Sequence, residues 1–201
     1  MESYLEKLST SEILSLSKFV VEENFNHHVN GDEKKKIEKD ILSVYQEEVK
    51  YIENSKIFVC KDDNGSITGA IRVLRWNYID KLPIENIFGI NPLLVLEDKE
   101  LHEIWHIGRF AIKKGAKDPN LFKKLMVCAI SPVCSHEGNI AFAECDSKLL
   151  RILSLLGIKP KVVGKSINYL GSETIPVSLS YSGLIEFYEK NKHLISDNKL
   201  L

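Results

Sequence analysis

At 201 residues the chain can bury one sizeable core, and 44% hydrophobic with 27% charged residues places it among globular proteins rather than disordered ones. A net charge of −1 removes any global attraction to nucleic acid or to an anionic membrane. No apolar run approaches the roughly 20 residues that span a bilayer.

A single domain over 1–201 is expected. Residues 1–14 lack a basic start followed by an apolar run, so no secretory signal is expected and the expected location is the cytoplasm. Cys60, Cys128, Cys134 and Cys145 include no C-x-x-C pair, which favours buried, reduced thiols.

Tyr4–Leu8 alternates weakly and is expected to be a short strand. Ser9 and Thr10 offer a helix cap, and apolar spacing from Ile13 predicts a helix to about His28. Asn30-Gly31-Asp32 is a stop. Lys34–Glu53 is expected to be a second helix. Its apolar residues Ile37, Ile41, Leu42, Val44, Tyr45, Val49 and Ile52 recur at threes and fours. Lys56–Lys61 and Ser66–Trp76 form a predicted hairpin around Asp62-Asp63-Asn64-Gly65, because Asn-Gly suits a primed turn. Gly69 marks a bulge or a close backbone approach. Arg72 and Arg75 are three apart on a strand, so they should point to opposite faces.

Asn77–Glu100 has no sustained period. It reads as a long connection with one short element near Leu93–Leu96, the kind of segment that serves as a lid or substrate wall. Further on, Asp118-Pro119 starts a helix carrying Leu121, Phe122, Leu125, Met126, Ala129 and Ile130. Ile140–Glu144 is a strand. Asp146 or Ser147 caps a helix over Leu149–Leu156, which ends at Gly157. Residues 160–170 and 173–180 are two more strands, Ser182–Asn191 is a short helix, and the last ten residues are expected to fray. The order implies an α/β protein of α+β type, with a central mixed, mainly antiparallel sheet flanked by helices.

Leu101–Lys114 admits two readings. As a helix, His102-Glu103-Ile104-Trp105-His106 matches H-E-x-x-H. That spacing belongs to zinc hydrolases, where two imidazoles share a face and the glutamate activates a metal-bound water. Gly108 interrupts such a helix, and Ile104, Trp105, Ile107, Phe110 and Ile112 favour a strand. Arg109 and Ile112 also stand where the extended motif has its glycine and third histidine. The strand is preferred and no metal is expected.

Gly69-Ala70-Ile71-Arg72-Val73-Leu74 is similar to a Gly-x-x-Arg-Leu-Leu strand, and Trp105-His106-Ile107-Gly108-Arg109-Phe110 to a Trp-Glu-x-Ser-Arg-Phe strand. Both strands, with the tail from Leu156-Gly157, resemble the acyl-homoserine-lactone synthase and N-acyl amino acid synthase branch of the GNAT acyltransferases. His106 and Gly108 replace that branch's glutamate and serine, and the acidic residues that its lactone synthases carry before the hairpin have no clear counterpart in 32–53. The resemblance implies an N-acyltransferase that moves an acyl group from a thioester to an amine such as an amino acid. The co-substrate would be acyl-CoA or the phosphopantetheine of an acyl carrier protein. It also implies that Phe110, Ala111 and Ile112 present backbone N–H groups to the acyl carbonyl, and that the helix start near Asn120 lies close to phosphate.

Lys113, Lys114 and Lys117, with Lys123 and Lys124, would suit an acidic carrier protein, a partner to be weighed against a merely solvated loop. The amine must lose a proton, and His106, with an ordinary pKa of about 6.5, is the attractive base, with Glu103 and Glu144 as rivals. Arg72 and Arg109 would either clamp a carboxylate on the acceptor or hold the strands by pairing with Glu144. Trp76 and Trp105 would line the core or an acyl tunnel. The alternatives to an acyltransferase are the zinc hydrolase and a non-catalytic protein that binds an acyl ligand.

Overall fold

The computed structural model describes residues 4–28, 34–96, 103–169, 172–196 and 200. The expected stop at Asn30-Gly31-Asp32, the side chains of Lys34-Lys35-Lys36, and His102 lie outside what is described. β1 (Tyr4–Lys7) pairs antiparallel with β2 (Ser55–Lys61), β2 with β3 (Ile67–Arg75), and β3 with β4 (Ile104–Ile112). β4 then runs parallel to β5 (Ile140–Asp146). β8 (Ser172–Ser180) lies antiparallel to β5 and carries β6 (Lys161–Val162) and β7 (Ile167–Tyr169) on its other edge. The sheet is therefore mixed and mainly antiparallel, as the element order implied.

Strand alternation divides the apolar residues between two faces. On one face, Leu16 of α1 (Ile13–His28) packs with Ile57, Val59 and Ala70, and α1 meets α2 (Lys34–Tyr51) through Val21, Phe25 and Val44. The other face holds the larger core. There Ile71, Val73 and Ile107 pack against α5 (Leu121–Ile130) and against Leu184 and Phe187 of α7 (Tyr181–Asn191). Gly69 is a close approach: a Cβ there would meet Leu125 Cδ1 at 2.9 Å and Leu121 Cδ1 at 3.1 Å.

Several boundaries differ from expectation. The 77–103 connection holds two short helices, α3 (Pro83–Phe88) and α4 (Pro92–Val95), each opened by the proline that blocks an earlier start. α5 begins at Leu121 rather than Pro119, because the Asp118 carboxylate accepts from the Asn120 N–H in a turn just before it. Residues 160–169 break into β6 and β7. Between them Gly164 passes so close to Ile90 that a Cβ would sit 2.7 Å from Ile90 Cδ1. Asp146, not Ser147, caps α6 (Ser147–Leu155), accepting from the Leu149 N–H. Among the described residues of the C-terminal stretch, Ile195 is buried in the main core, where fraying was expected. All four cysteines are buried and none is in a disulfide. Burial pushes the thiols of Cys128, Cys134 and Cys145 up to about 12, which keeps them inert.

Candidate active site at the parting of strands 4 and 5

Leu101–Lys114 resolves as the strand β4 over Ile104–Ile112, and β4 interrupts its pairing on both edges. Against β3, Ala70 pairs with Ala111 and Arg72 with Gly108, so Ile71 faces two residues, Arg109 and Phe110. This is a bulge, and Arg109 takes φ 57, a left-handed conformation that costs a non-glycine residue roughly 1–2 kcal/mol. Against β5, the parallel ladder ends at the Ile107–Ala143 pair. Beyond it the strands part around a cavity of about 600 Å³, with Phe110, Ala111 and Ile112 on one lip and Glu144 and Cys145 on the other. The edge of β4 turned away from β3 faces this cavity.

The cavity passes from one face of the sheet to the other. Its α5 side is apolar, lined by Met126, Leu153 and Leu179. Its α2 side is charged. Arg72, only 1% exposed, donates from Nη1 to Glu48 Oε1 at 2.6 Å and from Nη2 to His106 Nδ1 at 3.2 Å. A guanidinium has no acceptor, so Nδ1 must accept, and the proton of the neutral imidazole lies on Nε2. Nε2 then donates to Glu144 Oε1 at 2.9 Å. Arg109 donates from Nε to Glu48 Oε1 at 2.7 Å and pairs through Nη2 with Glu47 Oε1, also at 2.7 Å. Glu47, Arg109, Glu48, Arg72, His106 and Glu144 thus form one continuous chain.

Burial opposes ionisation of Glu47, but the guanidiniums of Arg109 and Arg72 outweigh it and hold the carboxyl below its ordinary 4.5. Burial likewise opposes the charge of Arg109, yet Glu48 and Glu47 raise its pKa above the ordinary value. With His106 neutral, three carboxylates meet two guanidiniums, leaving one net negative charge beside the cavity.

Glu47 and Glu48 were missed in the sequence, where 34–53 was read only as an amphipathic helix. The signal was present: Ile41, Val44, Glu48 and Tyr51 follow threes and fours, and Glu48 is fully buried within that stripe. Leu42 and Val49, taken for inward residues, are 54% and 45% exposed.

The other expected site residues separate. Glu103 does not join the cluster; it pairs with the exposed Arg75 at 2.6 Å, on a different part of the surface. Arg109 pairs with Glu47 and Glu48, not with Glu144, because the bulge turns it toward α2. Glu103 and His106 sit at and beside an extended strand, not on one helical face. Among the described residues no three His, Cys, Asp or Glu side chains are placed to share a metal. Trp76 and Trp105 are buried in the core and do not line the cavity. Lys113, Lys114 and Lys117 are exposed beside the cavity, while Lys124 is paired with Asp118 at 2.8 Å. The Asp118 carboxylate also occupies the helix start near Asn120 that was expected to meet phosphate.

The two departures from the synthase pattern fit each other. A Cβ at Gly108 would lie 3.1 Å from His106 Cε1 and 3.2 Å from Arg72 Nη2. The imidazole fills the space that a serine side chain would need. Gly108→Ser alone should cost about 1–3 kcal/mol by overpacking, whereas His106→Glu with Gly108→Ser should cost less than the two single changes summed. Urea denaturation of the three variants measures this coupling.

No family model matches the chain, and no curated protein does. Solved structures do. FeeM, an N-acyl amino acid synthase from uncultured soil microbes, superposes with a TM-score of 0.66 at 12% identity, over 96% of this chain and 98% of that one. An acetyltransferase of the GNAT family from Staphylococcus aureus Mu50 gives 0.58 at 12% identity, over 90% and 99%. The AHL synthase LasI gives 0.57 at 13% identity, over 94% and 95%. Identities this low speak for architecture, and on that basis, with its bulged β4 parting from β5, the chain has the GNAT fold and resembles the synthase branch within it.

Proposed function

We propose that the chain is an N-acyltransferase acting as one domain, moving an acyl group from a thioester to an amine. The observation that carries this reading is the parting of β4 and β5 with Glu144 on its lip. It places an apolar slot, the edge of β4 turned away from β3 and a carboxylate around one space. The acyl chain runs toward Met126 and Leu153. The thioester carbonyl accepts from backbone N–H of the cavity-facing β4 edge around Phe110, which stabilises the negative charge that develops on its oxygen.

Glu144, not His106, is the base. Nδ1 of His106 is occupied by Arg72 and Nε2 already bears its proton, so the imidazole has no free lone pair to offer. His106 instead holds Glu144 toward the cavity, and Arg72 fixes the imidazole tautomer. The donor is the phosphopantetheine thioester of acyl carrier protein or of CoA. Asp118 at the start of α5 disfavours a nucleotide pyrophosphate there, and the exposed Lys113, Lys114 and Lys117 suit an acidic carrier protein. No described helix is long and apolar enough to cross a membrane, and the reading keeps the cytoplasmic expectation.

Thiol release from acyl carrier protein and acyl-CoA thioesters of graded chain length, with and without amines, tests the proposal. Amine-dependent release is expected. Release that ignores every amine defeats it, as does acyl-ligand stabilisation without turnover, which would favour the non-catalytic alternative.

A further inference from the structure

Resting on the acyltransferase reading, we infer that the acceptor is a cationic amine without a carboxylate beside it, such as an alkylamine or an amino acid ester or amide. A free amino acid would need a cation for its carboxylate on the α2 side of the cavity. Both guanidiniums there are already charge-paired, Arg72 with Glu48 and Arg109 with Glu48 and Glu47, and the donor of Arg72 that makes no hydrogen bond, Nε, is buried. Lys113 and Lys114 lie past the end of β4 and Lys148 in the first turn of α6. All three are solvent-exposed, in positions suited to the donor's phosphate or to a carrier protein.

What the α2 side does offer is negative and aromatic. Glu144 and Glu47 line the cavity, their side chains 12% and 28% exposed, and so does Tyr169. Tyr169 lies near the same cluster: burial raises its phenol first, Glu47 and Glu144 add to that, and Arg109 opposes it. Two carboxylates and an aromatic side chain lining one space suit an ammonium ion. The cluster's single net negative charge is neutralised by one such cation, and a carboxylate on the same acceptor would restore the imbalance next to Glu47.

The chemistry balances. The acceptor enters as an ammonium and gives a proton to Glu144. Its lone pair then attacks the thioester carbon, and collapse breaks the C–S bond as nitrogen loses a second proton to the departing sulfur. The sum is ammonium plus thioester giving amide, thiol and one proton, which Glu144 returns to water.

The test compares kcat/KM for an amino acid, its methyl ester and its amide, using thiol release by the wild-type chain. The ester and amide should exceed the free acid by at least about tenfold. In Glu47→Gln that ratio should shrink by about threefold or more; an unchanged ratio would overturn the role given to Glu47. Equal or better use of the free acid would overturn the inference while upholding the acyltransferase. Failure of every amine to stimulate release would instead overturn the acyltransferase reading itself.

Discussion

Glu144→Gln should lower kcat by about 10²–10⁴-fold, the range that a positioned general base supplies. The amide keeps an oxygen to accept from His106 Nε2, so the polar chain behind it survives while the proton acceptor is lost. Its side chain is only partly buried and at the cavity lip, so thermal stability should stay within about 1 kcal/mol of wild type. A rate within threefold of wild type would remove Glu144 from the chemistry. His106→Gln separates the two roles. As a positioning residue, His106 should cost less than Glu144 does, and most of its effect should be a shift in the pH profile. An equal loss in both variants, with unchanged profiles, would contradict the tautomer assignment.

The largest stability effect is expected at Arg72. Removing one partner from a buried ion pair costs about 3–5 kcal/mol, because the other charge stays in a low-dielectric site. Arg72→Leu leaves the fully buried Glu48 with Arg109 alone and strips His106 Nδ1 of its donor. Because Arg109 remains, the lower end of that range is expected, with a fall in melting temperature of roughly 6–12 °C for a chain of this size. Arg75→Leu is the internal control. Its pair with Glu103 is solvent-exposed on the arginine side, so its loss should cost no more than about 1 kcal/mol. Equal effects in the two variants would mean that the cluster does not behave as a buried network. The same network predicts acid sensitivity: since the Glu47 carboxyl is held below its ordinary value, its contribution is present above pH 4.5 and is lost as pH falls through the lowered value.

Much of the fold was legible because it depends on local pattern. The hairpin turn, the two amphipathic N-terminal helices and the apolar β4 all follow from periodicity and turn chemistry. Its failures have physical causes. Pro83 and Pro92 read as loop punctuation, yet each opens a helix, since the first helical position has no use for an N–H. His106 stood out because its type titrates near neutrality, but its two nitrogens are already taken by side chains 34 and 38 residues distant in sequence. Glu48 was passed over because a single glutamate in an amphipathic helix ordinarily faces solvent. Only tertiary pairing shows that it faces two arginines. Arg109 was placed on the correct strand but given the wrong partner, since the bulge that turns it toward α2 leaves no mark in composition.

The central claim is that an acyl group passes from sulfur to nitrogen in the opening between β4 and β5. Mass spectrometry of the products formed from an acyl thioester and an amine tests it most directly. One amide per thiol released, abolished in Glu144→Gln, is the expected result. Free fatty acid in place of amide, or thiol release that ignores the amine, would contradict it.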